Sequence, residues 1–253
     1  MNSVRREKIR DFVQARGVAS LAQLSQLCPG VSSMTIHRDL KHLEGQGFLV
    51  KIRGGARCVV DHSSEPAFAV REILGQPAKR VIAEKALPLL LSSGSVFIDA
   101  GTTMMSFARQ IPDMPVNVLT TGPNIALELA RHPMVTISLC GGVLNKSNLT
   151  LSGNSAMDSL QGINIDTAFI AAAGYSSQTG FTCGMESEAR IKKLIIEKAR
   201  TRIIMIDSSK FERILPYTFA NLHNFDYMLT DLDPQELPDI LANAVKDLSL
   251  RVL

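Results

Sequence analysis

Apolar residues recur at helical spacing from the start of the chain. Val4, Ile9, Phe12 and Val13 fall on one side of residues 3–16, and Gly17 supplies a stop. Ser20 caps a second, short helix with Leu21, Leu24 and Leu27 on one side, closed by Pro29-Gly30. A third helix begins at Ser32 or Ser33, places Ile36, Leu40 and Leu43 at i, i+4 and i+7, and ends at Gly45 and Gly47. Residues 48–60, FLVKIRGGARCVV, alternate around Gly54-Gly55 like a two-stranded hairpin. Helix, helix, turn, helix, hairpin is the order of a winged helix-turn-helix.

The pattern then changes. Residues 61–78 open with polar residues, are punctuated by Pro66 and Pro77, and read as a linker to a helix over 79–91. Seven apolar, β-prone runs follow, at 95–99, 116–120, 135–140, 166–172, 202–207, 226–230 and 248–252. Helical stretches at 103–110, 124–131, 185–200 and 234–245 separate most of them. Strand alternating with helix predicts an α/β domain, a largely parallel sheet covered on both faces. The expected organisation is a winged helix-turn-helix over 1–60, a linker over 61–78 and a sensing domain over 79–253.

Charge sharpens this division. The first sixty residues carry ten Lys/Arg against four acids, whereas the remaining 193 carry 17 against 20. A small basic module joined to a mildly acidic body suits a nucleic-acid-binding head on a metabolite-binding domain, although a solvated basic surface gives the same bias. Cys28, Cys58, Cys140 and Cys183 are scattered without a CxxC pair or a metal-spaced His, so reduced, mostly buried thiols are expected and no metal or cofactor. No apolar segment follows the charged amino terminus and no window approaches about 18 apolar residues, which points to a soluble, cytoplasmic protein with no membrane partner.

With Ile36 facing the core, about 100° per residue puts Met34, Arg38, Lys41 and His42 on the far side of the third helix and His37 on its flank. Early positions of such a helix approach base edges while its neighbours grip phosphate. Ser33, Thr35, His37 and Arg38 are the candidate base readers; Lys41, Lys51, Arg53 and Arg57 are the candidate phosphate contacts. Arg38 leads, because a guanidinium can bond guanine O6 and N7 together. Taken alone, a basic helix is more often simply solvated; helix order, caps and a basic wing together favour DNA.

In the second half, SVFIDAGTTMM is a strand ending in Asp99, a tight Ala100-Gly101 turn, the hydroxyls of Thr102 and Thr103, and a helix start, which suits a phosphate. VNVLTTGPNIA repeats the arrangement with Thr121, Gly122 and Asn124, and Gly141-Gly142 follows the third strand. Such turns at strand carboxyl ends would line one crevice. Glu188 and Lys192 stand one helical turn apart, either as ligand contacts or as an i,i+4 ion pair. Lys210 follows another strand end and either reaches ligand or ties its loop through Asp207; Tyr175 either touches ligand or sits on a surface loop.

The run VSSMTIHRDLKHLEGQGFLVKIRGGA closely resembles the amino-terminal signature of the DeoR family of bacterial sugar-metabolism regulators. IDAGTT, TGPNIA, LCGGVLNKSNLTLSG, DTAFIAAAGYSSQTGFTCGMESEARIKK and MIDSSKF extend the resemblance over nearly the whole chain. His37 departs from it where the family usually has a second arginine, and GYSSQTG lacks an acid that many relatives carry. The resemblance implies a second half like ribose-5-phosphate isomerase and glucosamine-6-phosphate deaminase. It also implies a phosphorylated sugar effector surrounded by Asp99, Gly101, Thr102, Thr103, Thr121, Asn124, Gly141 and Gly142. The expected protein is a non-enzymatic repressor of a carbohydrate operon, binding a double-stranded operator as a dimer or tetramer. An activator remains open, as does a sugar-phosphate isomerase or deaminase carrying an accessory DNA-binding domain.

Overall fold

The computed structural model describes residues 2–45, 48–58, 67–238, 241, 245 and 250–253. The chain divides into two compact units, Met1–Arg71 and Glu72–Leu253. In the first, α1 (Asn2–Arg16), β1 (Val18–Ser20), α2 (Leu21–Leu27) and α3 (Ser33–Gly45) precede a hairpin of β2 (Leu49–Ile52) and β3 (Gly55–Cys58). The expected apolar stripes converge: Ile9, Val13, Leu24, Ile36, Leu40 and Leu49 are fully enclosed. Ser20 and Gln23 form a reciprocal capping box at the start of α2.

The third helix is described to Gly45, while Gly47 and residues 59–60 lie outside the described residues. Two local details differ from the sequence reading. The hairpin turns at Arg53-Gly54, pairing Ile52 with Gly55, one residue earlier than the Gly-Gly pair suggests. β1 was not foreseen; it pairs antiparallel with β3, and three residues are too short to show alternation.

The second unit follows α4 (Phe68–Ile73), which crosses the division, and opens with α5 (Gln76–Ala86). This helix starts inside the segment assigned to the linker because Gly75 adopts a left-handed φ of 61° and Pro77 occupies the first turn. Next come β4 (Ser95–Ile98), α6 (Thr102–Ala108), β5 (Val116–Thr120), α7 (Pro123–Leu129) and β6 (Val135–Leu139). A hairpin of β7 (Val143–Asn145) and β8 (Thr150–Ser152) leads to α8 (Asn154–Gln161) and β9 (Ile165–Ala171). The remaining elements are β10 (Gly174–Ser176), β11 (Gly180–Cys183), α9 (Glu186–Lys198), β12 (Ala199–Met205), β13 (Tyr217–Ala220), β14 (Tyr227–Leu229) and β15 (Arg251–Val252). The apolar run at 248–252 is thus represented by Arg251–Val252. Of the helix expected over 234–245, Pro234–Glu236 forms a single 3-10 turn, Leu237 and Pro238 are not helical, and Leu241 and Val245 are helical; residues 239–240 and 242–244 lie outside the described residues.

Seven strands form one parallel sheet in the order β15-β14-β12-β9-β4-β5-β6. Their composition explains this: Val96, Phe97, Ile98, Phe169, Ile170, Ile203, Ile204 and Met228 are buried on both faces, as parallel strands under helices require. The chain winds outward from β4 to β6, then returns to the other side of β4 as β9. Connections after β4 and β9 therefore leave in opposite directions and open a crevice at their carboxyl ends. A small antiparallel sheet, β10-β11-β13, accompanies the main one.

The Phe169 ring is fully buried and lies 4.7 Å from that of Phe107 on α6. Phe169→Ala should cost about 3–5 kcal/mol through lost transfer energy and a residual cavity. A fall in the urea midpoint at unchanged m-value would show it; an unaltered midpoint would remove Phe169 from the core.

Candidate functional site

In the first unit the outward face of α3 is open. Ser33, Arg38, Lys41, Arg53 and Arg57 are exposed, and Thr35, His37 and Lys51 are half-buried. The Thr35 hydroxyl meets that of Ser32, whose side chain also accepts from the Thr35 amide, so Thr35 belongs to the helix cap as well as to the face. Arg38, Lys41, Lys51, Arg53 and Arg57 enter no ion pair among the described residues.

The cations of α1 are used differently. Asp39, the neighbour of Arg38, points inward with its side chain only 2% exposed; Arg5 Nε donates to its Oδ2 at 2.6 Å and Arg6 Nε to its Oδ1 at 2.8 Å. Burial alone would raise the Asp39 pKa, but the two guanidinium bonds outweigh it and hold the carboxyl below its usual range. This clamp fixes α3 against α1 and was not singled out from the sequence. The available signal was an acid three residues after Ile36, on the apolar face.

At the switch point of the second unit, Asp99 closes β4. Its Oδ1 accepts from the Ala100 amide at 2.8 Å, and its Oδ2 from the Ala171 amide of β9 at 3.0 Å and from Lys192 Nζ of α9. Lys192 Nζ also donates to the Ala171 carbonyl at 2.8 Å. Burial would lower the Lys192 pKa, but the adjacent Asp99 charge prevails and raises it, keeping the ammonium charged. Asp99 thus has its oxygens bonded within the protein, and Lys192, for which the sequence left open a ligand contact or an i,i+4 pair with Glu188, bonds Asp99 while Glu188 adds a smaller electrostatic contribution.

Further polar groups lie on the neighbouring elements. Glu188, one turn before Lys192, accepts a short bond from Asn148 Nδ2 in the β7–β8 turn. Thr121 lies at the end of β5, where its carbonyl accepts from the Leu151 amide of β8 at 2.8 Å, and Asn124 Nδ2 contacts Met105 Sδ at 3.5 Å. Thr121 Oγ1, Asn124 Oδ1 and Asn148 Oδ1 are all buried without a hydrogen-bond partner. Native proteins rarely leave such atoms unsatisfied. Asn148 was missed because one Asn in a polar turn carries no sequence signal of its own.

Gly101 and Gly142 hold the turns that shape the crevice. Gly101 sits at φ 125° ahead of the buried Thr102 and Thr103, while Gly122 is buried at the start of α7. Gly141 and Gly142 are exposed after β6; Gly142 has φ 119°, and a Cβ there would stand 2.4 Å from the Ser152 carbonyl oxygen. Thr102 also lines a cleft of about 570 Å³ between α5 and α6, with Glu72, Gln76, Lys79, Arg80, Ser106 and Arg109 among its walls. The three cations there were not singled out, because single Lys and Arg residues on amphipathic helices carry no sequence signal of their own.

Lys210 closes the 3-10 turn Ser208–Lys210 after β12, where Asp207 takes bonds from the Ser209 amide and hydroxyl. Tyr175 is corrected outright: it lies in β10, 4% exposed, its ring 4.7 Å from Phe181 and 6.4 Å from Phe211. Burial, with a smaller contribution from Glu212, raises its phenol pKa. It is a core residue, so the ring is not displayed on a loop for a ligand to stack against.

Residues 5–61 match the model of the DeoR-like helix-turn-helix domain, and residues 75–232 match that of the DeoR C terminal sensor domain. The chain belongs to the DeoR family. It is 33% identical over 228 residues to the HTH-type transcriptional regulator GlpR of Haloferax volcanii, covering 90% of this chain and 89% of that one. With the uncharacterized HTH-type transcriptional regulator YgbI of Escherichia coli it shares 32% over 251 residues, 98% and 96% of the two chains. Ribose 5 phosphate isomerase A from Neisseria gonorrhoeae is a partial structural likeness, with 16% identity and a TM-score of 0.39 over 53% of this chain and 52% of that one. This DeoR-family chain is therefore a transcriptional regulator with a helix-turn-helix and a sensor domain. Among its described residues no helix is long and apolar enough to cross a membrane, and no group of three metal-ligating side chains occurs.

Two outcomes test these DeoR-family clamps. Lys192→Met leaves the Asp99 charge buried and should cost about 3–5 kcal/mol, with the Asp99→Asn/Lys192→Met pair costing less than the sum of its singles; additive losses in urea unfolding would argue against coupling. For Asp39 the folded pKa is depressed, so its contribution is complete above the unfolded value of about 4 and disappears as pH falls through the folded value. Asp39→Asn should lower the melting temperature at neutral pH and flatten the acid side of the stability profile. An unchanged profile would mean that the clamp carries no stability.

Proposed function

We propose that this regulator is a repressor of a carbohydrate-utilisation operon, reading its operator with α3 and the β2–β3 wing and released or retuned by a phosphorylated sugar in the sensor unit. On the DNA side, the reading is supported by five cations kept out of internal ion pairs while Arg5, Arg6 and Arg10 are consumed by acids. Arg38 is the base reader, with Ser33, Thr35 and His37 beside it; Lys41, Lys51, Arg53 and Arg57 contact phosphate.

The effector assignment rests chiefly on the three unpartnered buried atoms, Thr121 Oγ1, Asn124 Oδ1 and Asn148 Oδ1. Two amide oxygens and a hydroxyl suit the O–H donors of a sugar, joined by Glu188. Thr102 and Thr103 offer hydroxyls at a helix start, a setting that favours a phosphate; of the cations in the cleft along Thr102, Arg80 and Arg109 are paired with Glu84 and Glu72 and Lys79 donates to the Leu74 carbonyl, so a phosphate there would share them with these partners. The isomerase or deaminase alternative finds no support in Lys192, which is held as an ammonium against Asp99 and so cannot take up a proton.

Arg38→Ala should weaken specific operator binding by about 1–3 kcal/mol, roughly 5- to 150-fold, in a mobility-shift assay at fixed salt. Lys41→Ala and Arg57→Ala should each reduce the salt dependence of binding by about one phosphate contact. Unaltered specific binding in Arg38→Ala would sink the assignment of α3. A thermal-shift screen should show phosphorylated sugars stabilising the protein, by about 2.7 kcal/mol or roughly 5–10 °C at a hundredfold excess over Kd. A response to free sugars alone would overturn the phosphate reading.

A further inference from the structure

The two ends of the seven-stranded sheet are finished differently. At one end β15 has two residues, and Arg251 lies over the Tyr227 ring at 5.8 Å, so the edge is short and charged. At the other end β6 spans five residues and pairs only with β5 among the described residues. From Pro133 to Asn145 the sequence PMVTISLCGGVLN contains no charged residue. Short length, charge and strand-breaking residues are the usual protection of a sheet edge, and β6 has none of them along its length. Its outer row of main-chain donors and acceptors is open, and strand pairing is what satisfies such a row.

The surroundings of this edge are apolar. Leu127 on α7, Met134 and Leu139 at the two ends of β6, and Val143 and Leu144 on β7 are exposed by 74, 52, 46, 74 and 43%. Isolated apolar side chains on a surface are ordinary; here five belong to β6 itself, to α7, which packs on β6, and to β7, which follows it in the chain. We propose that β6 pairs antiparallel with β6 of a second copy of this chain about a two-fold axis at Ile137, joining two sensor units into one continuous sheet.

The sequence of β6 favours its own copy over another partner. A two-fold at Ile137 sets Ile137 against Ile137, Val135 against Leu139 and Thr136 against Ser138. One face of the joined strands is then wholly apolar and the other wholly hydroxyl-bearing. No like charges meet, which is the usual penalty when a strand faces itself. Such an interface is isologous and closes at two subunits, so the exposed side chains of α7 and β7 add to the buried area symmetrically. Their contribution is needed, since a stable dimer buries roughly 800 Å² per partner and one strand alone falls short. A helix-turn-helix that reads a two-fold operator requires two copies, which this closure supplies.

Opposed residues of an antiparallel pair stand about 4.5–5.5 Å apart at Cα, within the range a disulfide spans. Ile137→Cys in the full chain should therefore give a covalent dimer on mild oxidation, seen on a non-reducing gel, while the wild-type chain, whose four cysteines are all buried, stays uncrosslinked. Ile137→Lys puts two ammonium groups on the axis and should raise the dimer dissociation constant at least tenfold in sedimentation, with circular dichroism unchanged. Should that variant fold poorly, Thr136→Lys/Ser138→Lys, at two exposed positions, sets lysine against lysine on the other face and makes the same test. A monomeric wild-type protein would overturn the proposal. So would a dimer that neither crosslinks through Ile137→Cys nor weakens in the lysine variants, since the second copy, or another segment of the chain, would then sit elsewhere.

Discussion

The sensor unit turns on one buried ion pair, Asp99 with Lys192. A parallel sheet that winds outward in two directions has a weak line where β4 meets β9, because neighbouring connections diverge there. The Asp99 carboxylate spans that line by accepting from the Ala171 amide, and Lys192 seals it from α9 through the same carboxylate and the Ala171 carbonyl. Desolvating two charges is expensive, and an apolar pair of equal volume would often be at least as stable. What the ionic pair adds is direction. It sets the rotation of α9, and with it the position of Glu188 one turn earlier, opposite Asn148.

The first unit uses a carboxylate in the same way and with a similar consequence. Asp39 draws Arg5 and Arg6 inward, so the basic surplus of the first sixty residues overstates the charge presented outside. The part that remains is concentrated on α3 and the wing. Position along the helix therefore matters more than total charge: adjacent residues 38 and 39 carry opposite charges, and the helical turn between them sends one outward and the other into the core.

Much of this was legible in the sequence, for a physical reason. Central parallel strands are buried on both faces and read as unbroken apolar runs, so all seven members of the main sheet stood out. The strands that escaped, β1, β7, β8, β10, β11 and β13, have three or four residues each, too few for an alternation or an apolar run to register. Tyr175 was misplaced as a consequence, since a loop reading of GYSSQTG hid the small sheet that buries its ring against Phe181. The turns at Gly101, Thr121 and Gly142 were visible because strand ends followed by Gly and hydroxyl residues are local signals. The pairings around them were not, since Asp99 and Lys192 lie 93 residues apart and Asn148 and Glu188 lie 40 apart.

The buried thiols narrow the kinds of control this architecture can exert. Burial pushes Cys140 up to about 11 and Cys183 up to about 12, so neither is a thiolate at neutral pH, and the attack that begins oxidation is suppressed. The β7–β8 hairpin is the element through which binding events would communicate: its turn carries Asn148, with an unpartnered oxygen, while its first strand, next after β6 in the chain, exposes Val143 and Leu144. A ligand that engages Asn148 and a second copy that covers Val143 would act on one short element. If its two occupants prefer the same arrangement, each strengthens the other by the same factor, because coupling between binding sites is reciprocal.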